Sequence, residues 1–255
     1  MYEVYSSQFN YKYGEQVHLP YSIATLVSFL KTDKEISNKF NFNKIFVFRD
    51  KINDYSNTKY IDILMCSCYV WNWEITNILA KNIKENNPNS LIIYGGPQVP
   101  DNDYGFFDNY PWVDLLVHNE GELIIRNIFK SYLNDKKYES IKGITTRKII
   151  KWQPEERIND INIIPSSYNS NLIWNLVNKN DAEWIVSWER NRGCPFQCTF
   201  CDWGSSTYQK TRRFDIDRLD KEAEWFGKNK IIYIDMCDAN FGIFKEDDLH
   251  SAIKL

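Results

Sequence analysis

The chain has 255 residues, 43% of them hydrophobic, 16% aromatic and 25% charged, with a formal net charge of -3 at pH 7. That composition excludes a disordered chain and leaves room for two folded domains. The slight acidic balance excludes the strongly basic surface of a general nucleic-acid binder, so no nucleic-acid partner is expected. The N-terminal MYEVYSSQFNYKYGEQ lacks the basic start and apolar core of a signal peptide, and no apolar run approaches the about 18 residues of a membrane span. A cytoplasmic protein without a membrane partner is the expectation. In that compartment thiols stay reduced, so clustered cysteines point to metal binding or redox chemistry.

Along the first half, short β-rich runs alternate with helical patterns. Residues 2–8, 44–49, 60–68, 90–96 and 113–119 are apolar, β-branched or aromatic and bounded by polar turns, which predicts strands. Between them, 20–30, 73–85 and 122–133 carry apolar residues at helical spacing, with Ile75, Ile78, Leu79 and Ile83 marking one face of the second. Repeated strand, helix, strand predicts an α/β fold with a doubly wound parallel sheet. Such sheets take ligands at the carboxyl ends of their strands, where YGGPQVP (94–100) and HNEGE (118–122) fall. Gly95 and Gly96 would let a backbone approach a ligand closely, or simply make the turn. Neither GxGxxG nor a P-loop is present, against a dinucleotide or nucleoside triphosphate bound in the usual mode.

The pattern weakens over 141–180. GITTRKIIKWQ (143–153) reads as a β-hairpin, and the Asn-, Ser- and Pro-rich stretch after it as a linker. A second alternation follows: strand 183–188, a cysteine loop, helix 217–228 and strand 230–238. The expected domains are 1–140, a linker with hairpin over 141–180, and 181–255.

Cys194, Cys198 and Cys201 form CxxxCxxC in the loop after the first strand of that second unit. Three thiolates on a four-iron cubane leave one iron open to a ligand that is not protein. The rival is a zinc site completed by Cys237 or a histidine. Cys66 and Cys68 lie on an apolar strand and read as core.

NRGCPFQCTFCDWG (191–204) resembles, over its whole length, the motif of the radical SAM superfamily in its cobalamin (B12)-binding subgroup. IIYGGPQVP, VHNEGE and IPSSY (164–168) resemble that subgroup's upstream segments, so the likeness covers most of the chain. It implies a cobalamin-binding-like Rossmann domain followed by the start of a radical SAM partial (β/α) barrel. It implies that Cys194, Cys198 and Cys201 hold a 4Fe-4S cluster, and that S-adenosyl-L-methionine binds the open iron and yields a 5'-deoxyadenosyl radical. Phe200 would lie by the adenine, Asp238 and Asn240 would accept from the methionyl ammonium or cap a turn, and Gly193 and Gly204 would shape the loop's entry and exit. Gly95, Gly96 and Gly121 would line the cobalamin side. The implied reaction is methyl transfer to an unactivated carbon of a small-molecule or peptide substrate, with an electron donor such as flavodoxin or ferredoxin.

Two departures qualify the resemblance. No Asp-x-His occurs, so the DxHxxG histidine that binds cobalt from below in some cobalamin domains is missing, and the three histidines are His18, His118 and His250. A full barrel needs on the order of 200 residues, whereas 54 follow Cys201 (255 less 201). The expectation is a truncated barrel with little turnover alone: a non-catalytic cluster- or corrinoid-binding module, or half of a split enzyme completed by a second chain.

Overall fold

A computed structural model describes residues 1–102, 104–196, 198–201 and 210–254. In chain order these form β1 (Tyr2–Asn10), β2 (Lys12–Tyr13), β3 (Gln16–His18), α1 (Tyr21–Leu30), α2 (Lys34–Lys39), β4 (Phe40–Phe48), α3 (Ile52–Ser56), β5 (Ile63–Ser67), α4 (Trp73–Asn86) and β6 (Leu91–Gly95). There follow α5 (Phe106–Asn109), β7 (Leu115–Val117), α6 (Gly121–Leu133), β8 (Ile144–Thr145), α7 (Leu172–Leu176), β9 (Glu183–Trp188), β10 (Asn191–Arg192), β11 (Arg212–Arg213), α8 (Ile216–Lys228), β12 (Ile234–Met236) and α9 (Glu246–Lys254). The chain divides into two compact units, Met1–Lys12 with Ser22–Arg157, and Tyr13–Tyr21 with Ile158–Leu255. Among the described residues no helix is long and apolar enough to cross a membrane.

The first unit is built on a sheet of order β4-β1-β5-β6-β7-β8, parallel except for β8. A parallel sheet is covered on both faces and its strands read as continuous apolar runs; every residue of β5, ILMCS, is buried. Cys66 and Cys68 are core, as their strand implied. On α4 the buried stripe is Ile75, Thr76, Leu79, Ala80 and Ile83, while Ile78 is 53% exposed. At about 100° per residue Ile78 falls on the opposite side of the helix from the centre of that stripe, so its place on the apolar face is corrected. The expected hairpin over 143–153 keeps only Ile144–Thr145 as strand, and these pair antiparallel with β7. Both are buried by that edge pairing, which a free-standing hairpin would not achieve. Beyond them Thr146 and Ile149 exchange backbone hydrogen bonds of 3.0 and 3.1 Å, and Gly143 N–H donates to Gln153 O at 2.7 Å.

The second unit has a sheet of order β12-β9-β3-β2, with β3, β9 and β12 parallel. The β9–α8–β12 succession is one strand-helix-strand unit, as the sequence predicts. The contribution of β3 comes from far upstream: its end is extended by Leu19 N–H to Ile185 O at 2.8 Å. Helix α8 turns Leu219, Glu222, Ala223, Trp225 and Phe226 inward. Trp188 meets Phe226 edge-on at 5.5 Å and donates its indole N–H to the buried Glu222 carboxylate at 2.7 Å. Tyr168 of the IPSSY segment is buried against Trp225 and Phe226, and its hydroxyl donates to Ser187 O at 2.8 Å.

His118, at the carboxyl end of β7, is buried, with Nε2 at 2.8 Å from Thr145 Oγ1 and its ring stacked at 4.6 Å on Trp152. Burial lowers its pKa from 6.5 to about 4. Between those values the unfolded chain binds more protons than the folded one, so stability falls as pH drops from above 6.5 towards 4. Urea midpoints measured across that window are expected to fall less steeply for His118→Gln than for the native chain; equal slopes would contradict this account of His118.

Candidate functional site

The cysteine loop leaves the second sheet at the carboxyl end of β9, where open α/β sheets present their ligand-binding loops. Its neck is closed by the antiparallel pair β10 and β11, with Asn191 opposite Arg213 and Arg192 opposite Arg212. Phe214 N–H donates to Arg190 O at 3.0 Å, and the Arg212 guanidinium donates to Ile158 O at 2.5 Å. Gly193 takes φ of +99°, a left-handed conformation that side-chain-bearing residues seldom adopt, and so fits the tight entry the sequence implied.

Behind the neck lies a charged cluster that the sequence did not reveal. Arg190 is 2% exposed, and its guanidinium reaches two carboxylates that are themselves buried, Asp238 and Asp248. Its Nη2 donates to Asp238 Oδ2, and Nη1 sits 2.9 Å from Asp248 Oδ1. The other oxygen of Asp238 accepts the backbone N–H groups of Arg190 and Asn191 at 2.8 and 3.0 Å. Asp248 Oδ2 accepts from the N–H groups of Gly242 and Phe244 at 2.7 and 3.0 Å. The Phe241 ring covers the guanidinium at 4.5 Å. Both Asp238 oxygens are thus engaged by the chain itself, and the carboxylate has no exposed surface. It caps the turn and pairs with Arg190.

Cys194 is buried, while Cys198 and Cys201 are exposed; all are free thiols. Cys198 and Cys201 bound a single turn, with Cys201 N–H donating to Cys198 O at 3.1 Å. Phe200, inside that turn, is 90% exposed. Asn240 reaches back from the turn after β12 and donates its amide N–H to Cys194 Sγ at 3.1 Å. The structure therefore brings Asn240 and Cys194 together and leaves the other two sulfurs at the surface. Among the described residues no group of three or more His, Cys, Asp or Glu side chains is gathered to hold a metal ion. Cys237, the zinc rival's fourth ligand, is exposed and donates its thiol to Asp235 O at 3.6 Å. Gly204 lies outside the described residues.

In the first unit the carboxyl ends of the strands form a second rim. Asn72 ties it together: its amide donates to Phe9 O and Ser67 O, and its carbonyl accepts from Tyr69 N–H at 2.8 Å. Gly96 has φ of +108°, and a Cβ there would stand 2.6 Å from Cys68 O. The close backbone approach expected at this glycine is thus to the Cys68 peptide. A Cβ on Gly95 would make only an ordinary 3.7 Å contact with Val117, whereas one on Gly121 would crowd Leu26 to 3.2 Å where α6 begins. The rim also carries an aromatic ledge that the sequence reading passed over: Tyr69 and Trp71 stack at 4.3 Å, and Val70 and Trp71 are exposed. The sequence signal was the aromatic run YVWNW directly after an apolar strand.

No family model matches the chain. It is 34% identical over 242 residues to "Cobalamin-dependent radical SAM methyltransferase TokK" of Streptomyces tokunonensis, covering 92% of this chain and 36% of that protein. It is 35% identical over 237 residues to "2-(S-pantetheinyl)-carbapenam-3-carboxylate methyltransferase" of Streptantibioticus cattleyicolor, covering 90% of this chain and 35% of that protein. The chain thus spans about one third of the length of these relatives. Its fold is similar, at a TM-score of 0.72 and 11% identity, to the radical S-adenosylmethionine methyltransferase TsrM of Kitasatospora setae, solved with cobalamin and a [4Fe-4S] cluster bound; the match covers 100% of this chain and 51% of that one.

Burial pushes the Cys66 thiol up to about 12, and that of Cys68 is raised as well. Brief maleimide treatment of the folded, reduced chain at neutral pH is expected to label Cys198 and Cys201 and spare Cys66 and Cys68 until denaturant is added. Peptide mapping checks this, and equal labelling of all four would contradict it.

Proposed function

We propose, from the premise that the chain belongs to the cobalamin-binding subgroup of the radical SAM proteins, that it carries the cluster and corrinoid seats of a methyltransferase. Cys194, Cys198 and Cys201 are the proposed ligands of a [4Fe-4S] cluster whose remaining iron takes S-adenosylmethionine. The glycine-shaped, aromatic rim of the first sheet is the proposed corrinoid seat. When bound, these groups supply the radical chemistry and a transferable methyl for an unactivated carbon of a small-molecule substrate, with a one-electron donor such as a flavodoxin or ferredoxin.

The observation that carries this reading is the donor set: three reduced thiols on one loop after β9, one of them already accepting an amide hydrogen bond. Its chemistry fits a thiolate-held cluster. A further mark lies three positions before Cys194. The Asn191 carboxamide is buried with neither atom hydrogen-bonded among the described residues, and a buried polar group left without a partner calls for one.

The chain's own residues divide the work. Gly193 turns the backbone into the loop, and β10 and β11 hold its neck. Asp238 is occupied by Arg190, so the acceptor assigned to the methionyl ammonium is the carbonyl of Asn240. The glycines at the first rim keep its backbone free of side chains, and Trp71 and Val70 offer apolar surface to a flat ligand. His118 is committed to Thr145 and Trp152, so the corrinoid is held without it. The substrate class to assay first is a pantetheinylated carbapenam carboxylate, by likeness to the second relative.

Anaerobic reconstitution with iron and sulfide is expected to give about four of each per chain and a visible band bleached by dithionite. Cys198→Ala is expected to lose that iron while still retaining hydroxocobalamin through gel filtration, and Cys237→Ala to keep both. Zinc in place of iron, or iron loss on changing Cys237, would overturn the assignment.

A further inference from the structure

We propose that Asn240 is a positioning residue for the cluster: its amide N–H, donated to Cys194 Sγ, raises the cluster's reduction potential, and the buried Arg190–Asp238–Asp248 trio is the clamp that holds it in reach. This inference rests on the cluster assignment above and goes beyond it.

The hydrogen bond is 3.1 Å long and lands on the buried sulfur of the three. Reduction adds negative charge to a cluster and to its thiolates. A donor fixed on one sulfur therefore favours the reduced form, and away from water it does so more strongly. The exposed sulfurs of Cys198 and Cys201 can exchange donors with solvent; Cys194 takes its donor from the chain.

Asn240 belongs to a turn with little apolar anchorage of its own, so something must hold it. Asp238, two residues before it, is fixed at both oxygens by Arg190 and by the backbone leading into the cysteine loop. Asp248, eight residues after it, holds the far side of the same turn through Gly242 and Phe244 N–H. Arg190 joins these two carboxylates, and Phe241, next to Asn240, lies on its guanidinium. One side chain thus fixes the turn from both sides and ties it to the strand end from which the cysteines depart. With one cation and two anions the trio is formally -1, a field that opposes reduction nearby, and the Asn240 donor acts against it.

The test is a mediated redox titration of the reconstituted 255-residue chain, followed by electron paramagnetic resonance of the reduced cluster and run without S-adenosylmethionine, so that the carbonyl of Asn240 plays no part. Asn240→Leu removes the donor at similar size. It is expected to keep the native iron content while the ratio of reduced to oxidised cluster at a fixed potential falls roughly three- to tenfold, tenfold being about 59 mV for a one-electron couple. Arg190→Lys, which keeps the charge but loses the fork, is expected to shift the ratio in the same direction. Should circular dichroism show that this variant does not fold, Asp248→Glu, which keeps the charge but displaces the carboxylate from Gly242 and Phe244 N–H, carries the test of the clamp with the same expected shift. A native ratio in Asn240→Leu with full iron would overturn the role of Asn240, and a native ratio in the folded clamp variant would overturn the clamp. Absence of any cluster from the native chain would instead bring down the cluster assignment itself.

Discussion

A guanidinium buried between two carboxylates sets the geometry of the second unit. Removing one partner from such a group leaves a buried charge uncompensated, at a cost of about 3–5 kcal/mol, whereas an exposed pair is worth about 1 kcal/mol or less. Arg190 therefore constrains where Asp238 and Asp248 can lie, and with them the end of β9, the turn after β12 and the start of α9. A well-packed apolar trio would serve stability equally well. What the charged one adds is direction: each carboxylate has a second oxygen left to order backbone N–H groups, and those groups belong to the two segments that meet at Cys194.

Each unit of the chain reaches its open edge by a different means. In the first, the loops at the strand ends are drawn together by uncharged contacts, with Gly96 against Cys68 and Asn72 bridging Phe9 and Ser67, and Arg49 donates to Trp71 O. The result suits a broad, mostly apolar ligand. In the second, charge fixes the turn, and the β10–β11 pair joins the two ends of the cysteine loop. The chemistry assigned to each follows that difference: a corrinoid for the flat rim, a compact anionic cluster for the loop.

Much of this architecture was legible in the sequence because apolar periodicity is set by burial. Strand 183–188 coincides with β9, and the expected helices at 73–85 and 217–228 match α4 and α8 within a residue. Other features escaped for physical reasons. β3 is three residues long, amid polar neighbours, and is a strand only because Ile185 and its neighbours offer an edge to pair with. Ile78 is apolar yet faces outward, since one helix can bury only one stripe. Arg190 and Asp248 drew no reading from the sequence, because nothing in a linear sequence shows that residues 58 apart pair out of water. Asp238 read equally as an acceptor for an ammonium or as a cap on its turn, and the fold has its oxygens engaged by Arg190 and by backbone N–H groups. The cysteines were the clearest signal, but the bond from Asn240 to one of them, across 46 residues, could come only from the fold.

The central claim is that three thiolates hold a cluster and leave one iron to an outside ligand. Mössbauer spectroscopy of the reconstituted chain, with and without S-adenosylmethionine, tests it most directly. The account predicts that one iron in four changes its signature on addition while the other three do not. Four irons that respond alike, or a spectrum indifferent to S-adenosylmethionine, would contradict it.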